Sequence, residues 1–122
     1  MLAEKIVTAI NLGLASTRVR DWSDIYTLSG RHPVGYAPTR EAVLATARFR
    51  GVALVLLSQA ADLLVDLRSQ THTAYRRGLG PDGLHLPEPF ADVVEAVIVF
   101  GGPLIAAHQL TRWSPEKRRW EP

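Results

Sequence analysis

The chain has 122 residues, of which 47% are hydrophobic and 21% are charged, and its net charge is +2. This balance excludes an intrinsically disordered chain, so we expect a single folded domain over residues 1–122. The sequence contains no cysteine, which excludes disulfide and thiolate chemistry and favours a cytoplasmic protein.

The first half of the chain is predicted to be mostly helical, because its apolar residues recur at helical spacing. A first helix is expected over residues 2–13, followed by a connection over 14–20 and a short second helix over about 21–29. A third helix is expected to begin with Thr39 as its N-cap and to stop near Gly51.

The middle of the chain predicts its secondary structure less clearly. The apolar run Val52–Leu57 is compatible with a buried strand or with the start of a helix, and we favour the helix because no partner strand is visible. A fourth helix is predicted from Ser58 to about Arg77, where the sequence GLGPDG ends it with three glycines and a proline.

The last long helix is predicted to begin within LPEPFADVV, with Pro87 or Pro89 in its first turn, and to kink or break at Gly101–Pro103. In the tail, Trp113 and Trp120 flank a Ser-Pro turn and are expected to fold back over the end of the bundle. The predicted fold class is therefore all-α, a single bundle of about five helices with an aromatic C-terminal tail.

Two segments are relevant to the membrane. The N-terminal sequence MLAEKIVTAINLG has charged residues within its apolar pattern, which is not typical of a signal peptide. The longest apolar stretch, Ala96–Ala107, is shorter than the roughly 20 residues that cross a bilayer. We expect no membrane segment.

The histidines do not suggest a metal site. They are scattered singly along the chain, whereas zinc requires several histidine or cysteine ligands at set spacing. We interpret each as a surface or capping residue: His32, His72, His85 and His108. Neither a phosphate-binding loop nor the serine hydrolase motif is present.

The stretch LASTRVRDWSDIY concentrates charged residues where two predicted helices meet. Asp21 and Asp24 are three residues apart on one helix, close to Arg18 and Arg20, and Lys5 reaches them if the two helices form a hairpin. Such a group serves either as phosphate-facing cations held by carboxylates or as a structural ion-pair network. Spacing alone favours the structural network.

The sequence LAEKIVTAINLGLASTRVRDWSDIYTL resembles a segment of the AbiEii/AbiGii-type nucleotidyltransferases, the toxins of type IV toxin-antitoxin and abortive-infection systems. The shared pattern is Ala-Glu-Lys on a helix, followed after a short connection by Arg-x-(Arg or Lys)-Asp-x-x-Asp. The resemblance extends through LPEPFADVVEAVIVFGGPLIA and the closing WSPEKRRW, and so over essentially the whole chain.

The resemblance implies that Lys5 and Asp21 are catalytic, with Lys5 facing the phosphates of a nucleoside triphosphate. It implies that Arg18, Arg20 and Asp24 are their supporting neighbours, Arg20 standing where the family often has a lysine. In complete family members, an N-terminal part supplies a Gly-Ser motif and an Asp-x-Asp pair that hold Mg²⁺ and the NTP. Neither motif occurs in the sequence.

We therefore expect the chain to correspond to the C-terminal helical part of such an enzyme, inactive by itself and without a cofactor of its own. The implied partners are a helix-turn-helix-containing antitoxin, a tRNA acceptor, and either a separate N-terminal half or a second copy of the chain. Two alternatives remain: a non-catalytic module that binds antitoxin or RNA, and a purely structural helical domain.

Overall fold

The computed structural model describes residues 19–51 and 64–122. The predicted helix over 2–13 and the apolar run Val52–Leu57 lie outside these residues. Within them the fold is mostly helical. Its elements in chain order are α1 (Val19–Ser29), α2 (Tyr36–Arg50), α3 (Leu64–Gly78), a 3₁₀-helix (Gly80–Gly83), α4 (Phe90–Ile105), β1 (Arg112–Ser114) and β2 (Arg119–Glu121).

Helix α4 is the centre of the fold and packs against α1, α2, α3 and β2. Its apolar residues recur every three or four positions, so they form one stripe that the other helices cover. Burying a large apolar side chain of this kind stabilises a fold by about 1.5–3 kcal/mol. The buried residues of the stripe are Phe90, Val93, Val94, Val97, Phe100 and Leu104. Trp22 and Ile25 of α1 and Val43 and Ala47 of α2 complete this core.

Two details of α4 differ from the prediction. Pro89 is the N-cap rather than a first-turn residue, and the helix continues through Gly101–Pro103 to Ile105, so the predicted break is wrong. The continuation keeps Phe100 and Leu104 on the buried stripe, where both are 0% exposed. Burial of these side chains outweighs the cost of a proline inside a helix.

Helix α2 begins earlier than predicted, with Gly35 rather than Thr39 as its N-cap. Pro38 then lies in the first turn, where a residue without an N–H is tolerated because that group would have no partner within the helix. The predicted end is confirmed, since Gly51 is the C-cap with a left-handed φ of 66°.

The C-terminal tail corrects the all-α prediction, because it forms an antiparallel hairpin in which Trp113 is opposite Trp120. A further bridge joins Arg112 to Gly35, just before α2. The expectation that the tryptophans cover the helices is confirmed: Trp113 is 1% exposed and packs edge-on against Phe100 at a centroid distance of 4.9 Å. The hairpin pairs residues that are close in the sequence, and only the bridge to Gly35 joins distant ones. Each strand has 3 residues, which is too short to be recognised from a pattern of apolar spacing.

No helix in the described ranges combines the length and the apolar character needed to span a lipid bilayer.

Candidate functional site

Helix α1 carries the described part of the charged cluster. Arg20, Asp21 and Asp24 lie on this helix, and Lys5 and Arg18 lie outside the described residues. Convergence of Lys5 on the two aspartates therefore stays a prediction.

Asp21 is in the first turn of α1 and is only 1% exposed. A carboxylate in the first turn is favoured by the helix dipole, but aspartate is rarely buried to this degree because its charge loses hydration. Burial of Asp21 therefore excludes a merely solubilising role for this side chain.

Asp24 is in a different environment from Asp21, although the two are three residues apart. Its Oδ2 is 3.8 Å from Nε of Arg20, and the side chains are 30% and 75% exposed respectively. A surface pair with this exposure stabilises a fold by about 0–1 kcal/mol. This pair therefore gives little support to the hypothesis of a stabilising ion-pair network.

A cleft of about 650 Å³ opens beside Asp24, between α1, α3 and the segment that includes the 3₁₀-helix. Thr27 of α1 and His85 after the 3₁₀-helix both line it, and their Oγ1 and Nε2 atoms are hydrogen bonded at 2.8 Å. These residues are 58 positions apart, and no local sequence signal connects them.

Ser23 also lines the cleft and is 2% exposed. Its Oγ has no hydrogen-bond partner within the described part of the chain. A buried hydroxyl without a partner costs about 1–3 kcal/mol, and such groups are uncommon in native proteins. The Ser23 Oγ is itself buried, so this hydroxyl lies beside the cleft and is not exposed in it.

The four histidines lie in two kinds of environment. His32, His85 and His108 are exposed, as expected. His72 is 0% exposed: its Nε2 donates a hydrogen bond to the Pro87 carbonyl at 2.9 Å, so the surface interpretation is wrong for this residue. Within residues 19–51 and 64–122, no group of three or more histidine, aspartate or glutamate residues is suited to hold a metal ion.

A family model described as the nucleotidyl transferase AbiEii toxin of type IV toxin-antitoxin systems matches residues 1–96. The chain belongs to the AbiEii family. The match includes Lys5, Arg18 and the charged residues of α1, which are the positions that carried the resemblance. The end of α4 and the hairpin lie outside the part matched to AbiEii. No match was found among curated proteins or among solved structures.

Proposed function

We propose that this AbiEii-family chain contributes Lys5 and Asp21 to nucleotidyl transfer from an NTP to an RNA acceptor. The observation that carries the proposal is the family match over residues 1–96, which includes both positions. Burial of Asp21 in the first turn of α1 supports it, because an aspartate is rarely buried to this degree without a specific interaction for its charge.

In this proposal the Lys5 ammonium contacts the NTP phosphates as a point charge, and the Asp21 carboxylate holds that cation in place. Arg18, Arg20 and Asp24 support them. The reaction also needs carboxylates that hold Mg²⁺. The described residues offer no such set, and the sequence has no Asp-x-Asp. The 122 residues alone should bind an NTP without transferring its nucleotide.

The test is equilibrium binding of ATP to the chain, measured by calorimetry, with a parallel assay for transfer of labelled nucleotide to tRNA. Lys5→Ala should abolish ATP binding, whereas Lys117→Ala, at an exposed position in the hairpin, should leave it unchanged. Equal ATP affinity in both variants would contradict the role of Lys5. Transfer by the unmodified chain would contradict its inactivity.

We further propose that the chain is restrained by a helix-turn-helix-containing antitoxin, since the family belongs to type IV toxin-antitoxin systems. Antitoxin binding without any NTP binding would instead favour the non-catalytic interaction module. Co-purification of the chain with the product of an adjacent antitoxin gene, followed by the ATP titration, distinguishes the two.

A further inference from the structure

Helix α2 has an apolar strip on the face that points away from the core. The strip consists of residues three or four positions apart, all of them exposed: Pro38, Ala42, Ala45 and Phe49. Phe49 is the extreme case, since 92% of its surface is exposed. Single exposed apolar residues are ordinary, whereas a continuous apolar strip along one helix face is typical of an interaction surface.

The residues on either side of the strip differ in charge. Glu41 and Arg48 are seven positions apart, so they lie on the same flank of α2. Both are exposed, and no ion pair of either residue is found within 19–51 and 64–122. The corresponding positions on the other flank are Thr39 and Thr46, which carry no charge. One flank of the strip therefore presents a negative charge and a positive charge, two helical turns apart.

This pattern of charge is complementary to a second copy of itself. When two identical helices pack antiparallel, the same flank of each lies on the same side of the contact. Glu41 of one copy is then beside Arg48 of the other, and two-fold symmetry forms this pair twice. In a parallel pair, each of these charges would face an uncharged threonine of the opposite flank. The charges therefore favour the antiparallel arrangement.

The sizes of the apolar residues suit the same arrangement. Ala42 of one copy is opposite Ala45 of the other at the middle of the contact, and small side chains there allow the helix axes to approach closely. Each Phe49 then lies over Pro38 of the other copy, which removes its ring from water. Apolar burial supplies the affinity, and the two charge pairs set the orientation.

We propose that two copies of the chain form a symmetric dimer through this face of α2, with the two helices antiparallel. The contact uses the same surface of both copies, so it closes at two and does not extend into a filament. It involves one helix from each copy and is smaller than a standard interface, so its dissociation constant should be on the order of micromolar. No residue of α2 is among the described residues that line the cleft beside Asp24. Dimerisation and NTP binding therefore succeed or fail independently.

Sedimentation equilibrium of the full 122-residue chain tests the dimer over concentrations below and above the micromolar range. The mass should rise from 13.4 kDa towards that of two copies as the concentration increases, and it should rise no further. A mass that stays at 13.4 kDa at every concentration would overturn the proposal, and the strip would then be a surface for a different protein. A mass that rises beyond two copies would also overturn it.

Ala45→Glu tests the position of the contact. Glutamate is a good helix former, so the variant should fold, which its circular dichroism spectrum checks. It places like charges from the two copies at the middle of the contact and should weaken the dimer by at least about tenfold. The matched control is Ala91→Glu, the same substitution at an exposed position in α4, which should leave the dimer unchanged. Equal effects of the two substitutions would overturn the proposed interface.

Reversal of charge tests the antiparallel orientation. Arg48→Glu alone and Glu41→Arg alone should each weaken the dimer by about fivefold to tenfold, because two exposed pairs become repulsive. The double variant restores opposite charges and should regain most of the affinity. Arg77→Glu, at an exposed position near the end of α3, is the matched control and should have no effect. No recovery in the double variant, or an equal loss in Arg77→Glu, would overturn the antiparallel dimer.

Discussion

At the scale of single residues, Arg118 fixes the C-terminal hairpin to α1. Its guanidinium carbon is 3.8 Å from the centroid of the Tyr26 ring, and its Nη1 donates a hydrogen bond to the Tyr26 carbonyl at 3.1 Å. Arg118 has a φ of 48°, which an arginine rarely adopts. These contacts compensate for a turn conformation that would otherwise be unfavourable.

Because Gly30 has no side chain, the Arg118 guanidinium can pack directly against it. A Cβ at this position would overlap Nη2 of Arg118, so Gly30→Ala should displace the guanidinium and lower the free energy of unfolding by about 1 kcal/mol. Chemical denaturation measures the change. The control is Gly102→Ala in α4, where a Cβ meets nothing within 4 Å and should stabilise the helix. Equal effects of the two substitutions would contradict the packing of Arg118 against Gly30.

Substitution of Asp21 tests whether its charge serves the reaction or stabilises the fold. Asp21→Asn removes the buried charge and nearly keeps the shape, so stability should change by less than about 1 kcal/mol if the charge serves the reaction. Thermal unfolding measures this, with Asp24→Asn as the partly exposed comparison. A loss of several degrees specific to Asp21→Asn would favour the structural ion-pair network.

At the scale of elements, the end of α4 is completed by a side chain from α2. The Tyr36 hydroxyl is 2.6 Å from the Pro103 carbonyl and 3.1 Å from the Ala106 carbonyl, and it accepts a hydrogen bond from the His108 N–H at 2.9 Å. The last carbonyls of a helix have no partner within the helix. Tyr36 therefore explains how α4 ends without a glycine cap.

Tyr36→Phe should lower the free energy of unfolding by about 1–2 kcal/mol, because partly buried backbone groups at the end of α4 lose their partner. Tyr26→Phe is the matched control, since no hydrogen bond of the Tyr26 hydroxyl is seen in the described part and its ring keeps the contact with Arg118. Urea unfolding of both variants measures the difference. If Tyr26→Phe destabilises as much as Tyr36→Phe, the capping role of Tyr36 is wrong.

At the scale of the whole molecule, the core depends on residues beyond the part matched to the family. The Trp113 Nε1 donates a hydrogen bond to the Ser29 carbonyl at 2.6 Å, and the Trp120 Nε1 donates to the Phe100 carbonyl at 2.8 Å. The two rings also pack together at a centroid distance of 5.5 Å. The hairpin thus joins the end of α1 to the middle of α4.

Trp113→Ala should therefore lower the free energy of unfolding by about 3–5 kcal/mol, the range for removing a large aromatic side chain from a core. The total free energy of unfolding of a native protein is about 5–15 kcal/mol. A chain that ends at Ala106 lacks the whole hairpin, so it should lose cooperative thermal unfolding. Differential scanning calorimetry tests both. A sharp unfolding transition in the shortened chain would show that the helices form a core without the hairpin.

Short-range patterns in the sequence were sufficient to predict much of the secondary structure and to indicate the family. The helical spacing of apolar residues and the positions of glycine and proline predicted α1, the glycine-rich end of α3 and the region where α4 starts. These features depend on residues only a few positions apart. The charged motif around Asp21 was sufficient to indicate the family.

Only the tertiary structure decided the rest. The hairpin opposite Gly35, the buried environment of His72 and the contact of Thr27 with His85 all join distant parts of the chain. Burial and long-range pairing arise when the helices pack around α4, and they outweigh local preferences at Pro103 and Arg118. The physical reason is that sequence periodicity reports which face of a helix is apolar, whereas only packing determines what that face meets.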